Sequence, residues 1–279
     1  MHVAAPAWKP IRDAHLGLAA AVAEQIGELE RAHPGLLPLL RHTSALLIAS
    51  DYSGELPTAT YQTLSFLIVD EDRIYSWDKA RHRLRSKFLL GDRTMSFKGL
   101  NDGPKWRALQ PFLLAADKLT GVLATFAIHS SVATFFPGSA PLDLTSPAYA
   151  RYLHWNPKTL EKLFRILHFL ALLIAGLASP AQQLRWVTDD DAITANKQHL
   201  VELGELLDHV LALYIPDAPG VEYNTLARVD DSSRLMADLV AIPDLAAGAL
   251  AEIAPLHGRH GIVLIAPAGE GVAAHLPLS

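Results

Sequence analysis

The sequence predicts an α/β domain, on three observations. Half of the 279 residues are apolar, enough for a sizeable core. Short β-rich runs at Ala45 to Ser50, Thr63 to Asp70, Thr120 to His129 and Gln183 to Thr188 alternate with longer stretches of helical spacing. Neither an internal repeat nor a linker breaks this order, so a single domain over 1–279 is the economical expectation.

Each element has its own warrant. Leu16, Ala19, Ala20, Val22, Ile26 and Leu29 recur at helical spacing until His33-Pro34-Gly35 stops them, giving an N-terminal helix. The first two strands share a short Gly- and Pro-containing connection and are expected to pair antiparallel. Ser76 to Leu90 is a basic helix, Thr94 to Leu100 a connector, and Pro104 opens a helix running to Leu119. After the third strand, Ser130 to Trp155 reads as a long internal insertion with Pro137, Gly138, Pro141 and Pro147. Asn156-Pro157 then opens an all-round apolar helix. Its segment Leu163 to Ala178 falls short of the roughly 20 residues a bilayer needs and carries Arg165 and His168, so it is read as a buried core helix. A helix over Ala192 to Tyr214, a strand over Val221 to Val229, and a helix over Ser233 to Ile253 interrupted at Pro243 complete the core. Gly261 to Ile265 reads as a final strand.

Composition removes several classes of activity. With no cysteine, there is no disulfide framework, thiolate zinc site, iron–sulfur cluster or cysteine nucleophile. No G-x-S-x-G, GxxxxGK[ST] or post-strand GxGxxG motif is present, which argues against serine hydrolase, P-loop and dinucleotide chemistry. The net charge of -5, from 24 basic and 29 acidic residues, supplies no global field toward nucleic acid or anionic lipid. Met1 to Pro10 lacks the features of a signal peptide, so a cytoplasmic protein without membrane segments is expected.

The chemistry-bearing pattern is acidic. Asp51 ends the first apolar run ahead of Tyr52-Ser53-Gly54-Glu55, Asp189-Asp190-Asp191 follows another, and Asp244 lies in Ile242-Pro243-Asp244-Leu245. Taken singly, each Asp reads more readily as a turn or cap residue. Taken together, carboxylates from Asp51, Asp189, Asp190, Asp244 and Glu55 meeting at one place would repel one another unless a cation compensates them. An oxygen-only set calls for Mg²⁺ or Mn²⁺.

These residues carry a resemblance. The strand ending in Asp51-Tyr52-Ser53-Gly54 resembles the strand-Asp-Glu-Ser-Gly opening of the DUF3800 family of ribonuclease H-like proteins. Phe97-Lys98-Gly99-Leu100 is similar to its Glu-x-Lys connector, the strand running into Asp189 to its central strand-Asp element, and Leu239 to Leu250 to its closing Leu-Gln-x-Ala-Asp-Leu-x-Ala-Gly helix. The match spans about 44–253, leaving 1–43 as a helical appendage and 254–279 as an extension. Tyr52, Ser96 and Pro243 depart from the family pattern.

The resemblance implies a ribonuclease H-like mixed β-sheet flanked by helices. It also implies metal-dependent hydrolysis of nucleic-acid phosphodiesters, with Asp51, Asp189 or Asp190, and Asp244 as ligands and Lys98 beside phosphate. Glu55 is a candidate replacement for the acid missing at Tyr52. Lys79, Arg83 and Lys87 share a helical face by their four-residue spacing and are candidate nucleic-acid contacts, with a solvated helix face weighed equally. The departures keep open a catalytically silent module that binds nucleic acid or protein on the same scaffold. His154, His168, His199 and His209 are expected to be core or surface residues and not ligands.

Overall fold

The computed structural model describes residues 6–11, 18–54, 58–132, 151–215, 218, 220–229 and 232–257. Glu55, most of the insertion (133–150) and the strand expected at Gly261 to Ile265 lie outside them. The described residues divide into two compact units.

The first unit is built on a five-stranded mixed sheet of order β3-β2-β1-β4-β5, with β1 at Ala45–Ser53, β2 at Tyr61–Asp70, β3 at Gly121–His129, β4 at Gln183–Thr188 and β5 at Val221–Thr225. β1, β2 and β3 pair antiparallel, while β4 and β5 run parallel to β1. Its helices are α2 (Tyr75–Phe88), α3 (Gly103–Ala116), the single turn α6 (Leu226–Val229) and α7 (Leu235–Ile253). The mixed sheet flanked by helices is the α/β architecture expected from the sequence.

Strand alternation sorts the sheet into two faces. Leu47, Ala49, Leu67, Val69 and Val187 join one apolar cluster with Trp77 and Leu84 of α2, Ala108, Phe112 and Ala115 of α3, and Leu239, Ile242 and Leu245 of α7. The alternate residues Ser50, Tyr52, Trp186 and Thr188 form a polar chain on the other face. There the Trp186 indole Nε1–H donates to Ser50 Oγ at 2.8 Å, Ser50 and Tyr52 hydroxyls lie 2.7 Å apart, and Thr188 Oγ1 donates to Tyr52 Oη at 3.3 Å.

Three elements differ from the expectation for physical reasons. The helix expected from Ala192 starts at Lys197, because Asn196 caps it by accepting from the His199 amide at 2.9 Å, and Ala192–Thr194 is a separate 3₁₀ turn. The late strand stops at Thr225 because its ladder partner β4 stops at Thr188, and the chain turns helical at Leu226. Pro243 lies inside α7 and does not end it, since the helix is packed on β1, β2 and β3 along its length and tertiary contact outweighs the lost amide hydrogen bond.

The second unit contains α1 (Leu18–Ala32), α4 (Pro157–Leu177) and α5 (Lys197–Tyr214). α4 packs against both others and is buried along nearly its whole length, as its all-round hydrophobicity predicts. Asn156 caps it, accepting from the Lys158 amide at 2.9 Å. No helix among the described residues is long and apolar enough to cross a membrane.

Candidate functional site

The site begins with the parity of β1. Asp51 has the same parity as Leu47 and Ala49, so it faces the helices of the sheet unit, and it is only 9% exposed. In the antiparallel pair it stands opposite Ser65, whose hydroxyl lies 2.9 Å from that of Thr125 on β3. Thr63, two residues back on β2, donates from Oγ1 to the Ala247 carbonyl of α7 at 2.9 Å. A hydroxyl-lined strip of sheet therefore lies beneath α7, next to Asp51.

The parallel pair brings in the second acid. Its last matched residues are Ser50 and Thr188, so Asp51 and Asp189 each follow directly on the final ladder pair, Asp189 exposed just past the end of β4. Of the three consecutive acids, Asp189 is the one whose charge acts on Asp244. Asp190, exposed like Asp189, belongs to the helical unit. Asp191 is engaged structurally within that unit. It caps the turn Ala192–Thr194 by accepting from the Ile193 amide at 2.7 Å, and it pairs with Lys162 at 2.6 Å.

Asp244 is neither a cap nor a turn residue; it occupies the interior of α7, partly buried. Its Oδ2 accepts a 2.6 Å hydrogen bond from the Phe97 backbone N–H. Burial is the main cause pushing its carboxyl above the ordinary range, Asp189 pushes the same way, and the Phe97 bond with the Lys98 and Lys105 charges opposes. Phe97–Gly99 is a 3₁₀ turn that carries Lys98, which is exposed. A Cβ at Gly248 would fall inside the Phe97 ring. The Gly one turn beyond Asp244 thus seats that ring and lets the connector's amide reach the carboxylate.

The sequence departures acquire places. Tyr52 projects to the opposite face from Asp51 and serves the Ser50–Trp186 chain. Ser96 accepts from Lys105 Nζ at 3.2 Å. Lys105 and the hydroxyls of Ser65 and Thr125 join the site only through the fold. The odd-position hydroxyls Thr63 and Ser65 inside an apolar strand were the available signal for the strip, whereas nothing local marks Lys105.

The basic helix divides in two. Lys79, Arg83 and Lys87 are exposed. Arg81 and Arg85 turn inward onto Asp238 of α7, with Nη1–Oδ2 at 3.0 Å and Nη1–Oδ1 at 2.8 Å. Asp238 is fully buried.

No group of three or more His, Asp or Glu that could hold a metal ion occurs among the described residues, and the candidate Glu55 lies outside them. The donor set on this face is oxygen only, the kind suited to one hard divalent ion completed by water. The repulsion between Asp189 and Asp244 is the feature such an ion would relieve. Elsewhere, His168 is 2% exposed and bonds through Nδ1 to Tyr214 Oη at 2.9 Å, while His154 meets Glu202 and His199 stacks on Trp155. All three have structural partners.

No family model and no curated protein matches this chain. Among solved structures it is similar to the ribonuclease H2 from Pyrococcus horikoshii OT3, at 13% identity over 77% of this chain and 76% of that one, with a TM-score of 0.40.

Proposed function

We propose that the protein is a divalent-metal-dependent phosphodiesterase acting on nucleic acid, with Asp51, Asp189 and Asp244 as carboxylates that a bound ion would draw together, since they do not form a ready three-acid group. The observation that carries the reading is that Asp51 and Asp189 follow directly on the Ser50–Thr188 ladder pair while Asp189 lies close enough to Asp244 for their like charges to repel. A Mg²⁺ or Mn²⁺ bound there would offset that repulsion, neutralise phosphate charge and acidify a water. The resemblance of the quoted motifs to the DUF3800 family supports the same reading.

The chain's own residues divide the remaining work. The Phe97 amide fixes one oxygen of Asp244. Lys98, exposed on its 3₁₀ turn, and Lys105, held by Ser96, meet phosphate oxygens beside the acids. Lys79, Arg83 and Lys87 on α2 add exposed charge for more distant phosphates. Substrate reaches an acidic face because these cations offset it locally.

The test is Asp51→Asn, assayed on labelled single- and double-stranded DNA and RNA with and without Mn²⁺. Divalent-dependent cleavage should fall by orders of magnitude with the melting transition unchanged. Normal cutting by the variant would sink the assignment.

A second reading, a catalytically silent binding module on the same sheet, is favoured by the lack of a three-acid group among the described residues. Titration calorimetry with Mn²⁺ separates the two, since a module without a site takes up no ion saturably.

A further inference from the structure

Four of the five tryptophans are buried: Trp8 is 3% exposed, Trp77 1%, Trp155 2% and Trp186 1%. Two of them also place their indole N–H, Trp155 on Glu202 at 2.5 Å and Trp186 on Ser50 at 2.8 Å. Trp106 is different. It stands in the first turn of α3 with 63% of its surface in water.

Its neighbours point to a ligand. Lys105 precedes it, bonded to Ser96 and close enough to Asp244 to act on that carboxyl. Arg107, exposed, follows it. Successive helical residues fan out by about 100°, so the two cations leave the helix on either side of the indole. The acid of this turn, Asp102, faces Arg93 at 3.9 Å. A large aromatic face flanked by cations, next to a carboxylate site, is the combination by which proteins hold unpaired bases and the phosphates on each side of them.

We propose that Trp106 is a stacking platform for an unpaired base of single-stranded nucleic acid, with Lys105 and Arg107 meeting the adjacent phosphates. The identity of the ligand rests on the phosphodiesterase reading; the platform makes single strands the substrate class. Leu113, one heptad step along the helix, and Leu114 are also exposed, at 48% and 62%. A protein surface docking on that stripe is the competing occupant.

The experiment titrates the full chain with a short oligothymidylate in EDTA, following tryptophan emission. Trp106 is the water-exposed emitter, so saturation should quench the red edge of the spectrum. Trp106→Ala should abolish the quench and weaken binding roughly tenfold, with Trp106→Phe recovering most of the affinity. The loss should persist at high salt, because stacking is not screened as phosphate contacts are. An affinity for Trp106→Ala equal to that of the parent would overturn the proposal. So would an emission spectrum that ignores the oligonucleotide, or one that shifts with protein concentration instead and so assigns the stripe to a protein interface. The outcome is separable from that of the enzyme reading. Weakened binding together with cleavage indifferent to Asp51 would remove the enzyme and keep the platform, and Asp51-dependent cleavage with unaltered binding would do the reverse.

Discussion

The carboxylate of Asp244 and the backbone N–H of Phe97 are joined by a 2.6 Å hydrogen bond between residues 147 positions apart, and the ring of the same Phe97 occupies the space that Gly248 leaves on α7. Connector and helix are thereby fitted together at two points one turn apart. Gly248→Ala should break both, costing about 1–3 kcal/mol in urea unfolding by overpacking. Phe97→Leu in the same chain should recover part of the loss, and a double-mutant cycle checks the coupling.

Asp244 should weaken the fold that holds it. Its folded-state pKa lies above the ordinary value of 3.8, with burial as the main cause, so its ionised form costs stability at neutral pH. As pH falls through the folded value, the native state takes up the proton first and the cost is relieved. The relief is complete below 3.8. Asp244→Asn should therefore raise the melting temperature at pH 7 while abolishing activity, with the gap over the parent closing as the solution is acidified.

Asp238 is raised by burial as Asp244 is, but its truncation should destabilise the protein because it strands the inward-turned Arg81 and Arg85. Burial pushes the Asp238 carboxyl up and the two guanidinium groups oppose it. Asp238→Ala leaves the 1% exposed Arg81 deprived of a principal counter-charge and should cost about 3–5 kcal/mol in urea unfolding. Replacing Asp238 and Arg81 together by Leu and Met should cost less than Asp238→Ala alone.

In the helical unit, burial pushes His168 down from 6.5 to about 4. The unfolded chain binds this proton below 6.5 and the native state does not until about 4, so stability should fall with acidification across that window and flatten beneath it. The loss is up to about 3 kcal/mol from this group. Urea midpoints measured at stepped pH should show the slope, and His168→Gln should remove it.

How much of this was legible in the chain depends on the range of the signal. Strands 45, 63, 121 and 183 onward and the helix opened by Asn156-Pro157 were readable because periodicity and caps are local. The end of β5 was not, because Thr225 stops pairing where a distant strand stops. Asp51 and Asp244 were picked out in sequence, yet the parity that turns Asp51 toward α7 and Tyr52 away follows only once register is known. Arg81 and Arg85 looked like their exposed neighbours Lys79 and Arg83 because the buried Asp238 that draws them inward lies more than 150 residues further on. Lys105 carries no local signal for the same reason, since its relation to Asp244 is made by folding alone.

The register of β1 against β4 has a mechanical corollary. Because Ser50 and Thr188 are ladder partners, the backbones leading into Asp51 and Asp189 start from the interstrand distance of roughly 4.8 Å, imposed by peptide groups and indifferent to which side chains fill the interior. Cavity-forming changes at Leu67 or Phe112 would make the molecule melt sooner without prising that pair apart. Thermal robustness and the strand spacing that leads into the two carboxylates are separable properties of this protein.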